Sequence, residues 1–144
     1  MLLLGKEVIV VNTLTIQILA VGVGGAIGTL LRFFTNHFTL FTTYPLGTLI
    51  ENILASFLLG CFTGWFLVRK VPDWLRVSLG VGLCGSYSTM STFAADTLFM
   101  LQHQSPLSSL GYLALSVFGG IGFALFGYLF GQRLGERNEK KHYS

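Results

Sequence analysis

The sequence predicts an all-α membrane protein of four transmembrane helices, with a break in the third. Three observations predict it. The 144-residue chain is 52% hydrophobic and only 10% charged, with a mean hydropathy of +0.68, whereas a soluble domain is roughly 25% charged. Its apolar runs are long enough to cross a hydrocarbon core of ~30 Å, which takes ~20 helical residues. One of those runs also carries the hydroxyls of Ser86, Tyr87, Ser88, Thr89, Ser91 and Thr92 between Gly85 and Phe93, which a lipid-facing helix does not need. Four spans and their connections use up the chain, so residues 1–144 are expected to form a single membrane domain.

The first span is expected at about 15–34. Lys6 and Glu7 precede it without a small-residue cleavage site, so it reads as a retained helix and not as a signal peptide. Gly24 and Gly28 form a GxxxG pair that lets another backbone come close. Arg32 closes this span inside the apolar run, where it either snorkels to the headgroups or serves a site. Residues 36–45 read as a Thr-rich connection, and Pro45 suits the first turn of the next helix.

The second span, about 46–68, places Gly47, Ser56, Gly60 and Gly64 at small-xxx-small spacing. It also holds Asn52, an uncharged donor for an anion or a partner helix, and Glu51. Glu51 lies towards the N-terminal end, where the helix dipole favours it, and solvation at the interface is preferred there over a buried proton carrier. A polar turn at 69–73 leads to Trp74, an interfacial anchor. The third span, about 74–100, runs through the hydroxyl-rich stretch, and Gln102–Ser109 is the next loop.

The fourth span, about 107–130, carries Tyr112, Ser116 and the GxxxG pair Gly127 and Gly131, and residues 133–144 read as a frayed, charged tail. Cys61 and Cys84, both in apolar runs, are expected reduced and packed.

Charge placement bears on orientation. An even number of spans puts both termini and the central turn on one side. That side collects Lys6, Arg69, Lys70, Arg76, Arg133, Arg137, Lys140 and Lys141, against Arg32 alone on the other. By the positive-inside rule both termini are expected to be cytoplasmic, in a multi-pass protein of the cell membrane. The net charge of +3 comes mainly from these ends and one turn, so it does not argue for nucleic-acid binding.

Glycines with clustered hydroxyls admit two readings. One is a helix interrupted at mid-membrane, where freed carbonyls and hydroxyls face protein or a water-filled path and coordinate ions. The other is a packing seam whose hydroxyls bond a neighbouring backbone. No acidic residue lies in the middle of a span, so the exchange of a cation against a buried carboxylate is not indicated. Hydroxyls, an amide and aromatic edges direct partial positive charge at a small anion instead. A bend at Gly85–Ser88 would aim freed carbonyls at a cation.

Three stretches carry a family resemblance: Gly24-Gly25-Ala26-Ile27-Gly28-Thr29-Leu30-Leu31-Arg32-Phe33, Gly47-Thr48-Leu49-Ile50-Glu51-Asn52, and Gly82 through Phe93. In this order, on the first three spans, they make the chain resemble the Fluc (CrcB-like) family of fluoride channels. The resemblance implies an antiparallel dimer in the bilayer, with fluoride passing through narrow pores at the interface.

Carried onto this chain, it implies that Asn52 and Phe93 line the pore, with Met90 where the family usually has phenylalanine. Ser91, Thr92 and Ser116 would form a polar track, and Arg32 would match an arginine near the vestibule. The backbone carbonyls of Gly85 and Ser88 would hold a structural sodium ion (Na+) at the dimer centre. Methionine removes one aromatic edge and supplies a polarizable thioether. The eight-to-one basic bias departs from what a chain inserting in both orientations needs, so pairing with an oppositely oriented homologue is expected.

Two other classes are weighed. A small four-helix proton-coupled exporter of toxic cations needs a carboxylate in its first span, yet residues 8–31 contain no acid. A structural or assembly protein would use the glycine seams for packing alone. His37, His103 and His142 are scattered over connections and tail, without the spacing of an enzyme or metal site.

Overall fold

The computed structural model describes the backbone of residues 2–42 and 44–140 and the side chains of 11–42 and 44–137. His142 and the end of the charged tail lie outside the described residues. The elements are α1 (Leu2–Thr39), α2 (Leu46–Val68), α3 (Asp73–Val77), a π-helical segment (Ser78–Cys84), α4 (Gly85–Tyr87), α5 (Met90–His103) and α6 (Pro106–Lys140). Three helical stretches, Val11–Thr39, Leu46–Val68 and Pro106–Arg137, are long and apolar enough to cross a membrane. The fourth crossing is divided between two half-helices that meet at Ser88–Thr89. The fold is all-α, with four spanning segments and an interrupted third.

Two helices outrun the expected spans. The first span was placed at 15–34, but α1 begins at Leu2 and runs to Thr39. Threonines beyond the expected end of the span sustain this helix by donating to carbonyls one turn back, Thr35 Oγ1 to Leu31 O at 3.0 Å and Thr39 Oγ1 to Thr35 O at 2.8 Å. Arg32 therefore lies two turns inside α1 and not at its end. The stretch expected to fray after residue 133 is helical as far as Lys140.

The helices pair through glycine. A Cβ at Gly60 or Gly64 would overlap the carbonyl oxygens of Ala124 or Tyr128, and one at Gly127 or Gly131 those of Phe57 or Cys61. The seams expected on the second and fourth spans therefore face each other, and α2 and α6 lie backbone to backbone. Gly24 and Gly28 do the same for α1 against the carbonyls of Ser78 and Leu83, where Ser78 Oγ also donates to Ala20 O at 2.7 Å.

These contacts, with Gly135 against Val68, bring Arg69, Lys70, Arg76, Arg133 and Arg137 to one end of the bundle. At the other end a small core of Leu49, Phe93, Met100 and Tyr112 joins α2, α5 and α6. Cys61 and Cys84 are free, Cys84 buried.

Gly60→Ala should lower the stability of the detergent-solubilised protein by about 1–3 kcal/mol through overpacking. Gly111→Ala, where a Cβ meets nothing within 4 Å, should leave it unchanged. Equal thermal unfolding midpoints for the two variants would show that the α2–α6 seam has slack.

Candidate functional site

The break is built by two residues in extended conformation, Ser88 (φ −75°, ψ 160°) and Thr89 (φ −149°, ψ 124°). It falls at the C-terminal end of the expected bend, Gly85–Ser88: Gly85 is still helical at φ −66°, ψ −30°. An extended pair leaves backbone groups without helical partners, and within a bilayer these must be satisfied by protein. Asn52 supplies that for Thr89. Its Nδ2 donates to Thr89 O at 3.0 Å, and Thr89 N donates to its Oδ1 at 2.8 Å. One carboxamide thus stands in for a peptide unit of the missing turn.

Thr89 then starts the second half-helix. Its Oγ1 accepts from Thr92 N at 3.3 Å, the N-cap arrangement, and from Thr92 Oγ1 at 2.9 Å. Ser91 Oγ lies 3.3 Å from the same atom. In an uninterrupted helix Thr89 N would serve the carbonyl of Gly85, and Thr92 N that of Ser88. Both donors are spent elsewhere, one on Asn52 and one on the cap. The two carbonyls expected to meet a cation are thus the two whose helical donors the break diverts. Backbone oxygens relieved of their helical donors are hard ligands of the kind a sodium ion takes.

An open cleft of about 290 Å³ lies beside the break, lined by Asn52, Ser56, Ser88, Thr89, Met90, Phe93, Ser116 and Val117. It brings together four expected pore residues: Asn52, Met90, Phe93 and Ser116. Ser116 Oγ is buried without a hydrogen-bond partner. Phe93 is both core and lining, packed on Tyr112 with ring centroids 5.5 Å apart, whereas Met90 is 74% exposed. Ser91 and Thr92, expected on a polar track, are exposed and turn their hydroxyls to Thr89 instead of the cleft.

Thr89 and Ser56 had not been singled out among the hydroxyls. The Asn52 clamp that makes Thr89 central joins residues 37 apart in the chain, which local spacing does not reveal. Glu51 corrects an expectation outright. It is not solvated at an interface but fully buried, and neither carboxylate oxygen has a hydrogen-bond partner among the described residues. Gly47, one turn before Glu51, meets Asn36 and Thr39 of α1. Arg32 is half-buried.

An interrupted helix with a polar cleft at the break, within four apolar spans, defines a multi-pass membrane protein of the ion-transporting kind. The sequence profile described as "CrcB-like protein, Camphor Resistance (CrcB)" matches residues 19–128, and the chain belongs to that family. A protein of Halalkalibacterium halodurans named fluoride-specific ion channel FluC 2 is 56% identical over 125 residues, 87% of this chain and 92% of its own length. One of Bacillus subtilis with the same name is 40% identical over 122 residues, 85% of this chain and 92% of its own. The fluoride-specific ion channel FluC of Ignicoccus hospitalis is 39% identical over 115 residues, 79% of this chain and 94% of its own.

Asn52→Ala leaves two backbone groups of Thr89 unsatisfied, each costing about 1–3 kcal/mol. Amide hydrogen exchange at Thr89 should accelerate by on the order of tenfold or more, with Leu59 and its α2 neighbours unaffected. Unchanged exchange at Thr89 would mean that the break holds itself open without the carboxamide.

Proposed function

We propose that this chain forms a fluoride channel that exports F⁻ passively down its electrochemical gradient and so lowers cytoplasmic fluoride. One observation carries the reading: the cleft at the break is lined by an amide, hydroxyls and an aromatic edge, with no ionised side chain on its wall. Such groups present partial positive charge to a small anion without the tight grip of a full charge. The relatives named above, all called fluoride-specific channels, support the choice of anion. Driven by a negative-inside potential, each charge moved outward gains ~2.3 kcal/mol per 100 mV. This route needs neither ATP nor a proton relay, and it makes the protein a channel and not an enzyme. The exporter alternative has no support in the cleft or in the relatives.

In this reading Asn52, Phe93 and Ser116 line the pathway, with Met90 in place of one aromatic edge. Ser91 and Thr92 continue it across the exposed face of α5, and Arg32 serves the vestibule. The carbonyls of Gly85 and Ser88 would hold a structural sodium ion. The surface that carries Gly85, Met90, Ser91 and Thr92 is exposed on the single chain, although hydroxyls at mid-membrane do not face lipid. A second subunit, antiparallel in the bilayer, covers it. The basic residues gathered at one end favour a cytoplasmic location for both termini. That bias argues for an oppositely oriented homologue as the partner, with a homodimer as the other arrangement.

Fluoride efflux from liposomes containing this chain should require valinomycin and leave chloride inside. Silence with this chain alone, and flux restored by co-expressing an oppositely biased homologue, would assign the partner. Silence in both would overturn the channel. A cysteine placed at Gln104 should label from outside the cell only. Equal labelling from both sides would overturn the fixed orientation, and with it the need for a different partner.

A further inference from the structure

Glu51 is adjacent to Asn52 on α2, and neighbouring residues on a helix diverge by about 100° around its axis. Asn52 turns to the break, while Glu51 shares the side on which Gly47, one turn earlier, meets Asn36 and Thr39 of α1. A fully buried carboxyl group with two unpartnered oxygens is an anomaly in a membrane protein. Burying a carboxylate without hydrogen bonds is strongly unfavourable, and a carboxyl group that takes up a proton escapes that penalty.

The ionisable groups on the elements packed around α2 here are Arg32 on α1, Cys84 and Tyr87 on the first half of the third span, Asp96 on α5 and Tyr112 on α6. Arg32 is the cation among them and Asp96 the other acid. Tyr87 is engaged with Thr35 at 3.1 Å, and Tyr112 points its hydroxyl at Asp96 at 3.5 Å. Neither tyrosine is bonded to Glu51. Gly47 and Thr48, one turn before Glu51, line a polar pocket of about 210 Å³ with Asn36, Thr39, Thr42 and Asp96.

We propose that Glu51 is a proton-binding site of the conduction pathway that sets the charge of the wall behind Asn52. With the proton bound, the wall is neutral and fluoride passes. When the O–H bond breaks and the proton leaves to water through the polar pocket, a negative charge stands one residue from the amide that faces the anion. The proton stays on the protein during conduction and is not transported. A unit charge about 10 Å from the pathway, at the effective dielectric of protein, alters anion occupancy by on the order of tenfold. This inference rests on the fluoride-channel reading and goes beyond it by making conduction respond to acid, the condition in which HF entry loads the cell with fluoride.

The test is valinomycin-clamped fluoride efflux at symmetric pH from about 5 to about 9, a window spanning shifted carboxyl groups, with the leak of protein-free vesicles subtracted. The wild-type rate should fall roughly tenfold across that range, and Glu51→Gln, close in shape and without charge, should hold the acid rate throughout. A flat wild-type profile with fluoride flux present would overturn the inference and leave the channel reading standing. So would a Glu51→Gln profile that keeps the wild-type slope. Absence of fluoride flux at every pH would overturn the channel reading and the inference with it. Infrared difference spectra on the same proteoliposomes give a readout independent of flux: a protonated-carboxyl band that titrates in the wild type and is missing in Glu51→Gln. Absence of that band from the wild type would also overturn the inference.

Discussion

The carboxamide of Asn52 holds Thr89 by two hydrogen bonds, and the rest of the site depends on that hold. A spanning helix cannot simply stop in hydrocarbon, because each freed backbone group would cost several kcal/mol. The bonds from Asn52 Nδ2 and to Asn52 Oδ1 turn an unaffordable interruption into a stable one. They also fix where the second half-helix starts, which places Phe93 one turn on, against Tyr112. The Thr89 hydroxyl as N-cap completes the arrangement. An amide is suited to this because it offers donor and acceptor together and carries no charge of its own.

Holding Asn52 in place requires α2 to be rigid, and the glycine seam provides that. With lipid tails as apolar as leucine side chains, helices in a membrane associate through close packing more than through the hydrophobic effect. The contact of Gly60, Gly64, Gly127 and Gly131 with facing carbonyls lets α2 and α6 approach as near as backbones allow. Ser116 on α6 and Asn52 on α2 thereby become opposite walls of one cleft. The large side chains these helices turn outward, such as Phe118 and Phe126, are exposed, as a lipid-facing surface is.

Much of this was legible in the sequence, because the signals were local. Hydropathy located the spans, GxxxG spacing located the seams, and a hydroxyl cluster located the interruption. What was not legible depended on contacts between distant segments. Thr39 reads as a loop residue from sequence because its polarity is visible there and its bond to the preceding turn is not. The polar track at Ser91 and Thr92 is what the family resemblance implies, and a resemblance does not show that both hydroxyls also meet that of Thr89.

The π-helical segment Ser78–Cys84 precedes the break by only a few residues. A π turn accommodates one residue more than an α turn, so it displaces everything after it around the helix axis by about 100° relative to a regular helix. The alignment of Thr89 with Asn52 is set in part by that surplus residue. Chain length in this segment is therefore constrained as tightly as composition. Removing a single residue between Ser78 and Cys84 would let the turn relax to an α-helix and carry Thr89 around to a face where no carboxamide waits. Descendants of this sequence are free to exchange side chains here far more readily than to lose or gain one, and substitutions should outnumber deletions in this stretch wherever the channel persists.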